Sequence, residues 1–313
     1  MRAVLVMNPK ATGTTERMRD VLASALASDL KVDVVTTEYR GHASEIARHA
    51  TADRVDFVVA LGGDGTINEV VNGLLAEGPA PGLPALGIVP AGCTNVLARA
   101  LGLPTDPVDA TSVLLAGVRE GRSRLIGLGR ADERWFTFCA GLGLDAATVR
   151  RVEKRRTTTS SVTPWQYARA GVAEYFLHQR HRKPQLTLHA PPAADAGIMF
   201  ALVCNTRPWT YLGNRPIDPC PEASFDTDLD VFGLTKMYTV PTLRTLAQMF
   251  GDGPNGKRVV RHHDLADVVI TAAKPTPLQV DGDYVGEVER VTFRAMPNAL
   301  RVVVGATNAR LNE

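Results

Sequence analysis

FVVALGGDGTINEVVNG, residues 57–73, decides the fold. Phe57 to Leu61 is a short apolar run rich in Val, the composition of a strand buried on both faces. Gly62, Gly63 and Gly65 then break the pattern around one carboxylate, Asp64. Thr66 is the expected N-cap of a helix in which Ile67, Val70, Val71 and Leu74 recur at helical spacing. A strand that stops in glycine and reopens as a helix aims backbone N–H groups and a positive helix end at one point, which suits an anion. A tight strand–helix turn without a ligand needs a single glycine; three let a phosphate touch the backbone.

Working outward, Ala3 to Met7 is a continuous apolar strand followed by Asn8, Pro9 and a turn at Gly13. Glu16 to Leu30 carries Met18, Val21, Leu22, Ala25 and Leu26 on one helical face. Val32 to Thr36 reads as a second strand and Gly41 to Ala50 as a short helix. Beyond the glycine loop, the helix ends near Gly78 in a proline-rich turn; Ala85 to Val89 is a fourth strand, then PAGCTN, then a helix from Val96 to Leu101. Helices alternating with apolar strands predict a parallel sheet covered on both faces, with ligands outside the carboxyl ends of its strands. Asn8–Gly13, Gly62–Thr66 and Ala91–Asn95 fall at those ends, with Thr37 on the rim. Together they suit a polyphosphate, with Asp64 approaching through a divalent cation. There is no Walker A lysine, so Mg²⁺ and arginine have to neutralise the phosphates.

A chain of 313 residues suggests two domains of ordinary size. Apolar content of 45% and charged content of 22% are those of a globular protein, and a net charge of +2 gives no nucleic-acid signature. Cys93, Cys139, Cys204 and Cys220 form no C-x-x-C pair, which argues against a metal cluster and for a reducing, cytoplasmic setting. The opening MRAVLVMNPKATG reads as a first strand rather than a signal peptide, and no run approaches a membrane span. Contact with a membrane is expected from its surface only.

After Leu115 the texture changes. Short β-like runs follow at 123–129, 135–140, 185–189, 198–205, 229–234, 267–272, 278–280, 288–295 and 300–304, most separated by turn signals. They predict an antiparallel sandwich or curled sheet, with helical insertions at Asp145–Glu153, Pro164–Leu177 and Pro241–Phe250.

Asn8-Pro9 with Gly13, GGDGTINEVVNGL (62–74) and GIVPAGCTNVLARALGLP (87–104) together resemble the diacylglycerol kinase catalytic-domain family, which is related to NAD kinases and phosphofructokinases. The first glycine block is shared with NAD kinases; its combination with the Pro90–Pro104 pattern is more specific. Cys93 departs from the family's usual Thr or Ser, which leaves Thr94 or the backbone to meet a phosphate. The resemblance implies an α/β nucleotide-binding domain with a doubly wound parallel sheet, over 1–124. It implies a β-rich acceptor-lipid domain, antiparallel and sandwich-like, over 125–298, with a last strand from about 299 returning to the first domain. It implies ATP and Mg²⁺ as cofactors, the nucleotide lying against Asn8, Pro9, Gly13, Thr37, Gly62, Gly63, Asp64, Gly65, Thr66, Asn68, Gly92, Cys93, Thr94 and Asn95. Its partners would be a lipid substrate, an anionic membrane surface met peripherally from the cytoplasmic side, and a second copy of the chain, with no nucleic acid.

Further motifs take their meaning from the same resemblance. AGLGLDAATV (140–149) matches the family's G-x-G-x-D-A turn better than a dinucleotide fingerprint, for it opens no βαβ unit; Asp145 is there a helix cap or a substrate-side residue. Arg150, Arg151, Lys154, Arg155 and Arg156 are a solvated face or a docking patch for an anionic leaflet. Asp226-Thr227-Asp228-Leu229-Asp230 resembles a D-G-x-L-D stretch that holds a structural Mg²⁺ in some members, which makes Asp226 and Asp228 the metal candidates. Asp281-Gly282-Asp283 matches the family's D-G-E block with Asp for Glu. A lipid hydroxyl must lose its proton as it attacks the γ-phosphate, and Asp281 or Asp283 is the expected base. A plain D-G hairpin turn is the bland alternative.

Overall fold

Edge and centre are distinguishable in the first four strands, β1 (Arg2–Met7), β2 (Lys31–Thr36), β3 (Phe57–Gly62) and β4 (Ala85–Pro90). β3 and β4 are almost wholly buried, whereas β2 exposes Lys31 and Asp33, charges that blunt an open edge. The order is β2–β1–β3–β4, all parallel. This is a computed structural model, and it describes residues 1–11, 13–143, 146–147, 183–191 and 196–306. The chain divides into two compact units, one of residues 1–126 and 298–313, the other of residues 127–297.

Five helices accompany the first sheet: α1 (Glu16–Ala27), α2 (His42–Ala52), α3 (Asp64–Leu74), α4 (Val96–Ala100) and α5 (Pro107–Arg119). Leu22, Leu26, Leu114 and Val118 of α1 and α5 pack against Leu5, Val59 and Val89, strand residues of one parity. α2 and α3 touch backbone to backbone: a Cβ on Gly73 would lie 2.2 Å from the Ser44 carbonyl oxygen. The expected doubly wound α/β arrangement is thus observed. α5 is an addition to it. Asp106 caps that helix through the amides of Val108 and Asp109, and Pro107 occupies its first position, where no donor is lost.

β5 (Ser123–Ala131) leads into the second unit, followed by β6 (Arg134–Phe136), β7 (Cys139–Leu142), β8 (Leu186–His189), β9 (Ala196–Ile198) and β10 (Ala201–Cys204). A small hairpin, β11 (Thr210–Leu212) with β12 (Arg215–Ile217), precedes β13 (Leu229–Leu234), helix α6 (Thr239–Gln248), β14 (Val259–Leu265), β15 (Asp267–Val280) and β16 (Asp283–Val303). The pairings are antiparallel. β15 serves two arms: its start pairs β8 and its end pairs β7, with a register shift between Thr271 and Thr276 where it bends. Leu188, Ile198, Val203, Val231, Ile270, Val280 and Phe293 from both arms share one core, the expected sandwich-like packing.

Two expectations change. The runs at 267–272 and 278–280 are one strand, β15, and those at 288–295 and 300–304 are one strand, β16, whose end pairs Val302 with Leu86 of β4 in parallel. Met296-Pro297-Asn298, between those two runs, lies within β16; Asn298 absorbs the irregularity at φ 53°, a conformation its short amide tolerates. Apart from Ala146 and Ala147, the helices expected at Asp145–Glu153 and Pro164–Leu177, with Asp145 and the basic cluster Arg150–Arg156, lie outside the described residues.

Candidate active site

The three glycine-bearing loops converge at the carboxyl ends of β1, β3 and β4. The Gly13 amide donates to the Ala91 carbonyl at 2.9 Å, and the Ala91 amide to the Gly62 carbonyl at 2.8 Å. A Cβ on Gly92 would stand 2.6 Å from the Gly63 Cα. Asn95, in the left-handed region at φ 49°, accepts from the Gly92 amide at 2.9 Å and donates to its carbonyl at 3.1 Å, closing the third loop on itself. Two backbones meet at Gly63 and Gly92, which requires glycine at 92 and leaves a Cβ at 63 only 3.1 Å from the Gly92 Cα.

Thr66 is not the N-cap. Helix α3 begins at Asp64 with Gly63 as its cap, so Thr66 sits in the first turn. The extended Gly63 lets the chain enter the helix three residues sooner than the hydroxyl suggested. Thr66 Oγ1 instead accepts from Asn8 Nδ2 at 3.0 Å, and Asn8 Oδ1 accepts from the Lys10 amide at 2.9 Å. A Cβ on Gly62 would lie 2.7 Å from the Thr66 side chain, so that glycine makes room for the tie. Asp64, partly exposed at the first position of α3, accepts from the Leu97 amide at 3.4 Å. Pro9 and Cys93 are exposed on the rim, Thr94 is half-buried between Cys93 and Asn95, and the Thr37 amide donates to the Met7 carbonyl at 2.8 Å. Asn68 is fully buried and takes a hydrogen bond from Asn72 at 3.1 Å.

In the second unit, Asp281 and Gly282 are the two loop residues of the hairpin joining Val280 to Asp283, with φ 48° and 82°. That is the backbone of a type I′ turn. The Asp281 carboxylate points inward and is 5% exposed. Its Oδ2 accepts from the Thr137 amide at 2.7 Å and hydroxyl at 2.9 Å; its Oδ1 accepts from the amides of Phe138 at 3.0 Å and Cys139 at 3.1 Å. Burial pushes this carboxyl above the usual range, while the four donors pull it back. Asn205, itself buried, donates to the carbonyls of Thr137 and Gly127 at 2.9 Å each, and Gln279 accepts from the Gly282 amide at 2.8 Å. Asp283, the first residue of β16, is only partly buried.

Asp226 and Asp228 do not share a ligand cluster with other side chains among the described residues. The Asp228 amide donates to Asp264 at 2.8 Å, and burial with Asp264 and Asp267 nearby raises the Asp228 carboxyl. The group that does bring three ligand-type atoms within 4.8 Å of one another is Glu222, Asp230 and His263. There, His263 Nδ1 is bonded to Asp230 at 2.7 Å and Glu222 pairs with Arg261 at 3.3 Å. Thr137, Asn205 and Gln279 carried no signal in the sequence, for each acts through a partner distant along the chain or through main-chain groups. Glu69 is a fourth: its carboxylate accepts from the amides of Gly41 and Ala43 at the start of α2.

A doubly wound sheet with glycine loops at its carboxyl ends, joined to an antiparallel β unit, is a fold already known. A putative diacylglycerol kinase from Bacillus anthracis matches it with a TM-score of 0.76 over 98% of both chains, at 18% identity. Residues 2–127 match the family model of the diacylglycerol kinase catalytic domain, and the resemblance read from the motifs is borne out. A diacylglycerol kinase of Staphylococcus saprophyticus is 33% identical over 144 residues, which are 45% of this chain and 45% of that protein. One from Staphylococcus carnosus is 26% identical over 297 residues, 91% of this chain and 90% of that one. Among the described residues no helix is long and apolar enough to cross a membrane.

Proposed function

We propose that the protein is an ATP- and Mg²⁺-dependent lipid kinase that phosphorylates a hydroxyl of a diacylglycerol-like or long-chain-base-like acceptor. The observation that carries this reading is the meeting of the three glycine loops: Gly63 and Gly92 approach so closely that a Cβ on Gly92 is excluded and one on Gly63 would stand only 3.1 Å from the Gly92 Cα. Such a surface offers backbone amides to phosphate oxygens without side chains in the way. Asp64, half-exposed beside the loops, fits a metal held between it and the phosphates. Mg²⁺, when bound, would neutralise the phosphates that no P-loop lysine meets here.

The second unit would take the acceptor. Of the two carboxylates in the D-G-D turn, Asp281 is committed to four donors, and we assign it to holding the turn. Asp283, next along the strand and partly exposed, is the candidate to accept the acceptor's proton as the hydroxyl attacks in line. No covalent enzyme intermediate is needed. Membrane contact would be peripheral. Asp226 remains the candidate for a structural cation.

The test is incubation with ATP labelled on the γ-phosphate and a total lipid extract, with NAD supplied in parallel. A labelled lipid supports the proposal. Label in NADP instead, or ATP binding with no transfer to any lipid, overturns it.

A further inference from the structure

The helix α6 is amphipathic the wrong way round. At about 100° per residue, Val240, Leu243 and Leu246 fall within a sector of about 120°. Thr245 is the buried residue of the helix and projects from the opposite side. Yet Val240 is 77% exposed, Leu243 60%, and Leu246 is exposed as well. Ordinarily an amphipathic helix turns its apolar stripe to the core. Exposed aromatics flank the helix at both ends, Tyr238 before it and Phe250 after it. Five large apolar side chains exposed over 13 residues are a patch, not scattered surface hydrophobes.

The charge around it has one sign. Residues 236–258 carry Lys236, Arg244, Lys257 and Arg258 against a single acid, Asp252, and α6 itself has no acidic residue. All four cations are exposed. The Arg258 guanidinium lies over the Tyr238 ring at 5.0 Å from its centroid, which places a cation at the border of the apolar stripe.

We infer that the outer face of α6 docks on a phospholipid bilayer bearing anionic headgroups, its aliphatic stripe entering the acyl boundary and its flanking cations meeting the headgroups. Apolar residues backed by a basic fringe, with aromatics at the margins, are what an interfacial helix requires. That partner also suits the lipid-kinase reading, on which its purpose rests, because an acceptor lipid is met only at such a surface.

The experiment uses the full chain without ATP, so vesicle binding and phosphoryl transfer succeed or fail separately. Co-sedimentation is measured with vesicles of phosphatidylcholine alone and of phosphatidylcholine containing about a third phosphatidylglycerol. Wild-type protein should bind the anionic vesicles and lose binding as salt rises. The Val240→Ser/Leu243→Ser variant should partition at least ~10-fold more weakly, and Arg244→Glu should weaken binding to anionic vesicles selectively. These side chains are exposed, so folding is retained; as a second readout, a Leu246→Trp variant should shift its emission to the blue on anionic vesicles. Wild-type protein that binds no vesicle overturns the inference. So does a Val240→Ser/Leu243→Ser variant that binds like wild type. A wild-type dimer that the same substitutions convert to monomer also overturns it, since the face would then belong to a second copy of the chain.

Discussion

Thr137 grips Asp281 twice: its amide and its hydroxyl both donate to Oδ2, at 2.7 and 2.9 Å, across 144 positions of sequence. This pair fastens the D-G turn to the bend between β6 and β7 and defines what Asp281 is for. Asp281→Asn keeps the turn, since Asn adopts the left-handed conformation as readily as Asp. Its NH₂ group, however, must face at least one backbone amide that now has an acceptor. The expected outcome is a loss of about 2–4 kcal/mol in stability, with Thr137→Val losing about 1 kcal/mol. Urea denaturation of both variants measures it; an Asp281→Asn protein as stable as wild type would remove the turn-holding role.

Asp283 should behave in the opposite manner. Being partly exposed at the start of β16, it can lose its charge with little effect on folding. Asp283→Asn is expected to lower turnover on a lipid acceptor by about 10²–10⁴-fold while ATP affinity and melting temperature stay near wild type. Turnover within a few-fold of wild type would take Asp283 out of proton transfer.

The first unit was legible because its signals are local. Each strand is one apolar run, each loop carries its glycines, and the doubly wound order follows from their alternation. α5 was missed: Asp106-Pro107 marks its start, but the weakly patterned run after it hid the helix. β15 and β16 were harder. They are half-exposed along much of their length and interrupted by a register shift at Thr271/Thr276, so their apolar pattern breaks into fragments. Asp281 stood out as a carboxylate at a turn, but its partners Thr137 and Phe138, in the bend between β6 and β7, and Cys139, the first residue of β7, are connected to it by no spacing rule. Sequence locates such a residue; only the fold says whether its oxygens are already taken.

Glu69 illustrates the same limit and can be tested simply. It lies on α3 yet satisfies the Gly41 and Ala43 amides at the start of α2, at 2.9 and 3.3 Å. α2 begins at a left-handed Gly41 with no side-chain cap of its own, so the carboxylate from the neighbouring helix serves instead. Glu69→Gln keeps the shape and removes the charge facing the helix dipole. A loss of about 0.5–1 kcal/mol is expected, read as a lower melting temperature. No change on substitution to either Gln or Ala would mean that water caps α2 equally well.

Gly92 separates a loop that binds from one that merely turns. A methyl at this position meets the Gly63 Cα at 2.6 Å and Asn95 Oδ1 at 2.8 Å. The Asn95 side chain has some freedom to yield. The Gly63 backbone does not, because the next residue opens α3 and the preceding one pairs with Pro90 in the sheet. Gly92→Ala therefore has to push the second and third loops apart. The sheet beneath them is unaffected, so the cost should fall on the ligand rather than on the fold. ATP affinity measured by calorimetry is expected to drop at least ~10-fold, with a loss of no more than about 1–3 kcal/mol in stability. Undiminished ATP binding in a folded Gly92→Ala protein would place the nucleotide elsewhere, and with it the donor half of the proposed reaction.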